Sequence, residues 1–239
     1  MIGCKFLDHR YHEMEVAYIW ELAPIVMNIQ STLDNYKSLG EYFAPDYEQE
    51  NEVLNNFKAS HPSLSKDQTT QLVDILTSNG QIENKYFVAD LLYLYDNFDI
   101  ELLDPMLLTA INYGDPSFNR IFLRPCLKVF GTKQIADILA DKFKKGDILQ
   151  RIGISKLVYW LEPQENGEAD SLHQAIIDKA NSTDSLIELY HYKLIYSDKI
   201  KQISEVPSSA SELIKAIQGN KEYEDLLFNK LRWVNRINN

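Results

Sequence analysis

Cysteine is scarce in this 239-residue chain, and Cys4 and Cys126 stand too far apart to match a metal or redox spacing. Cys126 lies among apolar residues, where a thiol packs as a small hydrophobe. The 9 glycines and 8 prolines are few for a loop-rich β protein. No basic segment leads into an apolar run at the start, and nothing approaches the roughly 18 apolar residues of a membrane span. A cytoplasmic protein that does not engage a membrane is the expectation. Positive charge is also short. With 24 Lys and Arg against 35 Asp and Glu, the net charge of −11 disfavours non-specific binding to nucleic acid and would attract a basic protein partner. Phosphate-cradling glycine loops, G-x-S-x-G elbows and Cys–His pairs in a recognisable context are missing, so neither catalysis nor a cofactor is expected.

What the chain does have is helical periodicity. Hydrophobic residues make up 45% and charged residues 25%, the balance of an ordinary globular domain. In "TKQIADILADKF" the apolar Ile135, Ile138, Leu139 and Phe143 share one helical face. Tyr223, Leu227, Leu231 and Val234 repeat that spacing near the end of the chain. "SKDQ" from Ser65 to Gln68 and "SASE" from Ser209 to Glu212 have the spacing of capping boxes. "CKFL" at 4–7 is the best strand candidate and is too short to build on. Helices are predicted near 11–37, 47–58, 66–78, 83–95, 99–113, 117–130, 132–145, 147–161, 169–180, 184–203, 209–218 and 221–236. Pro24 bends the first of these, and "EPQENGEAD" at 162–170 is the most linker-like connection.

The middle of the chain repeats itself. "NKYFVADLLYLYDNFDI" (84–100) aligns with "NRIFLRPCLKVFGTKQI" (119–135) at a period of 35, pairing Asn84 with Asn119, Phe87 with Phe122, Leu92 with Leu127 and Ile100 with Ile135. A third copy follows 31 residues on, pairing Arg120 with Arg151, Ile121 with Ile152, Leu123 with Ile154 and Phe130 with Leu161. Two helices per period is the mark of a helical solenoid, because one helix pair cannot bury both its apolar faces and must share a core with the next.

The segment "DIELLDPMLLTAINYGDPSFNRIFLRPCLKVFG" (99–131) resembles a HEAT repeat, with a proline in its first helix, an Asp-Pro turn and an early arginine in its second. The resemblance is clear over 66–161 and only periodic beyond. It implies that Pro105 bends the first helix, that Asp115 and Arg120 stack between repeats, and that Asp147 and Arg151 form the next rung. The spacing departs from the usual pattern by a residue or two, Lys85 stands where the first copy needs Arg, and Pro125 interrupts the second helix. The expected fold is an all-α, right-handed superhelical α-solenoid of about five or six helix pairs. It forms one domain over 1–239, with capping helices in 1–62, the clearest repeats in 63–161 and less regular helices in 162–239.

One stripe carries candidate chemistry. Positions four apart on each second helix read Lys85, Ala89, Tyr93; then Arg120, Arg124, Lys128; then Arg151, Ser155, Tyr159. In solenoids that this chain resembles, second helices line the concave surface, which would gather these residues into a basic and aromatic patch. Segment 119–156 holds nine Lys and Arg against three Asp and Glu, a balance of +6 that leaves −17 on the rest. An acidic peptide, a phosphate-rich ligand or nucleic acid would suit such a patch. The plainer reading is that Arg120 and Arg151 belong to the structural ladder and the others to a solvated face. The acidic counterparts are "NFDIELLD" (97–104) with Glu83 and Asp90, and "DYEQENE" (46–52), solvated surface or a landing site for a basic partner. "HRYHE", with His9, His12 and Glu13, has no second cluster to complete a metal site, so no metal is expected. In "ELYHYKLIY", Tyr190 and Leu194 read as core and His191 as surface; Trp20, Trp160 and Trp233 read as packing residues.

These readings point to a non-catalytic protein–protein interaction module, an adaptor or inhibitor, of which a toxin-neutralising immunity protein is one form. The alternative is a nucleic-acid-binding protein similar to the HEAT-like DNA glycosylases for alkylated bases, resting on the basic stripe and opposed by the net charge.

Overall fold

The computed structural model describes residues 28–39, 47–113, 116–161, 167–201 and 203–226. Among them are twelve α-helices and no strand. They are α1 (Ile29–Ser38), α2 (Tyr47–Ser60), α3 (Lys66–Thr77), α4 (Ile82–Leu94), α5 (Leu103–Asn112) and α6 (Pro116–Phe130). The later ones are α7 (Thr132–Lys145), α8 (Ile148–Leu157), α9 (Asp170–Ala180), α10 (Leu186–Tyr196), α11 (Ala210–Ile217) and α12 (Lys221–Asp225). The all-α expectation holds. The strand candidate, Pro24, the His9–His12–Glu13 cluster, Cys4, Trp20, Trp233 and the apolar stripe beyond Tyr223 lie outside the described residues.

Local chemistry sets most helix ends. Ser65 accepts from the Gln68 amide while the Gln68 side chain accepts from the Ser65 amide, the capping box read from "SKDQ". At α11 the device is shifted: Ser209 accepts from the Glu212 amide, but Glu212 reaches back to the amide and hydroxyl of Ser208. Those bonds hold the Glu212 carboxyl below its usual range. Pro105 stands in the first turn of α5, where its missing N–H has no intrahelical acceptor to lose. The single helix expected over 99–113 is therefore a 3₁₀ turn, Ile100–Leu102, followed by α5. α6 continues through Pro125, held by the buried Phe122, Leu123 and Cys126 on either side of it. Gly131, at φ 77°, joins α6 to α7 in a conformation that side chains resist.

The helix expected over 184–203 stops at Tyr196. Asn181 explains this: its side chain accepts from the Lys201 amide and donates to the Lys199 carbonyl, folding the chain back onto the end of α9.

Packing is regular. α3 packs on α4, α5 on α6, α7 on α8, α9 on α10, and α11 on α12. The even-numbered helices also pack in succession, α4 on α6, α6 on α8 and α8 on α10, while α3 meets α5 and α7 meets α9. One continuous core runs through Leu72, Phe87, Met106, Phe122, Leu139, Ile152, Ile176 and Leu213. Each such side chain contributes about 1.5–3 kcal/mol on burial. The repeat-equivalent pair Phe87 and Phe122 is buried at both positions, whereas Ile100 is exposed and Ile135 buried. In α10 the reading of single residues is corrected twice: Leu194 is 67% exposed, and His191 is buried. Burial pushes the His191 imidazole down to about 3, so it is neutral in the fold.

Candidate functional site

α6 packs between α4 and α8, and its remaining face carries Arg120, Arg124 and Lys128 at intervals of one helical turn. All three are exposed. Aromatic rings from the neighbouring elements stand beside them. The Arg120 guanidinium carbon lies 5.0 Å from the Trp160 ring centroid. Arg124 lies 5.4 Å from the Tyr93 ring and the Lys128 ammonium 5.6 Å from the same ring. These separations are those of cation–π contacts.

Each ring is itself positioned. The Trp160 indole N–H donates to Asn119 Oδ1 at 2.8 Å, so the residue preceding Arg120 holds the ring on which Arg120 rests. Tyr159 meets Trp160 edge to face at 4.8 Å and remains 72% exposed. On the other flank, Lys128 donates to the Tyr93 carbonyl at 3.0 Å and pairs with Asp96 at 2.9 Å. Lys128 thereby holds the Asp96 carboxyl below its usual range. Tyr93 is 45% exposed. Arg120 and Arg124 differ from Lys128: among the described residues, neither has a carboxylate within ion-pair distance.

Behind Arg124 stands Asp90. Tyr36 donates its hydroxyl to Asp90 Oδ2 at 2.8 Å. Burial drives the Asp90 carboxyl up to about 6, and the Tyr36 bond and Arg124 charge offset part of that rise.

The other members of the stripe go elsewhere. Lys85 is half-buried, and desolvation lowers its ammonium pKa. Ala89 and Ser155, the middle positions of the first and third copies, are buried between helices. Arg151 turns into the protein, pairing through Nε with Glu188 Oε1 at 2.5 Å and donating to the Gly146 carbonyl. Glu188 also accepts from Tyr192 and Thr183, each at 2.9 Å, so its buried carboxylate is fully engaged. Asp147 is spent on the α8 N-cap, accepting from the Gln150 amide at 2.8 Å. Among the described residues the Asp147–Arg151 rung is thus replaced by Arg151–Glu188, and Asp115 lies outside them.

The acidic run is dispersed as well. Asp99 caps the 3₁₀ turn, Glu101 pairs with Lys66, and Asp104 pairs with Lys142. Most side chains of the 46–52 run fall outside the described residues.

No protein-family model, curated protein or solved structure matches this chain. Among the described residues no helix is long and apolar enough to cross a membrane, and no group of three or more His, Cys, Asp or Glu is placed to hold a metal.

Sequence reasoning picked out Arg120, Arg124, Lys128, Tyr93 and Tyr159, which meet along one face. It read Trp160 as a packing residue, and the ring does pack, partly buried, against the core; it did not connect Trp160, Asn119 or Asp96 to the stripe. Asn119 is fully buried, with Oδ1 engaged by the Trp160 indole, and a polar residue at that position of an apolar stretch is the signal the sequence carries.

Proposed function

We propose that this chain is a non-catalytic protein-binding module, an adaptor or inhibitor, built as a HEAT-like α-solenoid and capturing its partner on the basic and aromatic face of α6. The stacked architecture is supported by the register of its cross-links. Bonds between elements recur at separations of 34 to 37 residues: Tyr95 to His61, Lys128 to Tyr93, Lys58 to Leu94, Ser171 to Asp137 and Arg151 to Glu188. Spacing of that kind is what neighbouring helix pairs of one repeat produce.

The observation that carries the binding reading is the state of Arg120 and Arg124. Both are exposed and lie beside rings, with no carboxylate within ion-pair distance among the described residues, although the buried Asp90 carboxyl lies close enough to feel the Arg124 charge. A cation–π contact uses none of a guanidinium's N–H donors in an ion pair, so an incoming anion can accept from them. Asp99, Glu101 and Asp104, by contrast, are already committed within the fold, so the partner meets this face with acidic groups of its own.

Affinity capture from the native host at physiological salt, with protein and nucleic acid both quantified, tests this. Wild-type protein should retain a stoichiometric protein partner that Arg120→Glu/Arg124→Glu loses while keeping its helical circular dichroism. A partner held equally by the double variant, or recovery of nucleic acid alone, contradicts the reading.

A further inference from the structure

We infer that the α6 face recognises an extended peptide segment carrying acidic side chains at alternate positions. This rests on the reading of that face as the partner-binding surface and goes further by naming what the partner presents. Four residues of helix rise about 6 Å, so Arg120, Arg124 and Lys128 leave the α6 backbone at that interval. Two residues of an extended chain advance about 6.6–6.8 Å and return the side chain to the same side. Acids at alternate positions therefore meet the cations one to one.

Aromatic rings border the row: Trp160 stands 5.0 Å from the Arg120 guanidinium carbon and Tyr93 stands 5.4 Å from that of Arg124. The exposed edges of Tyr93 and Tyr159 then offer apolar contact to the residues between the acids. Two of the three positions carry most of the recognition. Lys128 already holds Asp96 and the Tyr93 carbonyl, so an incoming acid must compete there, while Arg120 and Arg124 accept one directly. A long polyanion is disfavoured. Beyond segment 119–156 the chain carries a net −17, which opposes the approach of a long polyanion.

Fluorescence anisotropy on the full chain at low salt tests the inference. The labelled probes are a peptide with three glutamates at alternate positions separated by threonine, an isomer of the same composition with glutamates four apart, and an oligothymidine. The proteins are wild type, Arg120→Glu/Arg124→Glu, the milder Arg120→Gln/Arg124→Gln, and Lys144→Glu/Lys145→Glu. The last makes the same charge change as the first double reversal on exposed lysines at the end of α7. The alternate-glutamate peptide should bind about tenfold tighter than its isomer, and either arginine double variant should weaken it by about tenfold or more. The lysine control should weaken it by less than about threefold. Equal or tighter binding of the isomer or the oligothymidine, still lost in the arginine variants, overturns the extended-peptide inference and leaves the face as a binding surface. Binding of any probe that the arginine variants leave intact overturns both. No binding of the peptide at any accessible concentration overturns the inference, and the capture experiment then judges the face separately.

Discussion

Lys128 and Tyr93 are 35 residues apart in the chain and in contact in the fold, the ammonium bonded to the tyrosine carbonyl at 3.0 Å. They occupy equivalent positions of two successive sequence copies. The contact therefore ties the repeat in the sequence to the stacking of α4 on α6, and it places a ring beside the basic row. The packing of α4 on α6 thus helps to assemble the candidate site.

Asp90 gives the face a dependence on pH. Its folded pKa of about 6 lies above the ordinary 3.8 of an aspartate, so the native state holds the proton more tightly than the unfolded chain. The Asp90 contribution to stability is accordingly most favourable below pH 4 and falls as pH rises through about 6. The shift corresponds to about 3 kcal/mol at most. Asp90→Asn keeps an acceptor for Tyr36, so it should be more stable than wild type by about 1–3 kcal/mol at pH 7.5. That advantage should vanish near pH 4. Urea denaturation at the two pH values measures it, and an equal difference at both would refute the assignment.

Arg151 and Glu188 form a buried pair whose two halves need each other. Arg151→Ala leaves the Glu188 carboxylate buried with only the Tyr192 and Thr183 hydroxyls, at an expected cost of about 3–5 kcal/mol. Replacing both together, Arg151→Met/Glu188→Leu, should recover much of that loss. Chemical denaturation of the three proteins decides; a single variant as stable as wild type would contradict the account.

At Gly153 α8 packs tightly against α5. A Cβ there would stand 2.2 Å from the Ile111 carbonyl oxygen, a backbone atom that cannot move aside alone. Gly153→Ala should therefore destabilise the fold by about 2–3 kcal/mol, although alanine is the better helix former. A melting temperature at or above that of wild type would show that the two helices are not so closely packed.

The sequence conveyed what is local and missed what depends on neighbours. α7 was legible to the residue, because its apolar face and its flanking Gly131 and Gly146 all act within one helix. The row on α6 was legible for the same reason, since spacing by four is set by helix geometry alone. Spacing could not reveal that Ala89 and Ser155 would be closed off by adjoining helices, or that Arg151 would find Glu188 37 residues away. Trp160 packs against the core as its apolar stripe implies, but spacing could not show that the same ring also stands beside Arg120. Leu194 and His191 exchanged their expected places in α10, a helix buried on most of its circumference, where a simple amphipathic pattern has little left to report.

Hydrogen–deuterium exchange of the chain, alone and with its captured partner, tests the central claim most directly. The account predicts that added protection centres on α6, on 93–96 and on 158–160, and that Arg120→Glu/Arg124→Glu abolishes it. Protection confined to α7 and α9, with α6 unchanged, would show that the partner binds a different surface and that the basic row is only a solvated face.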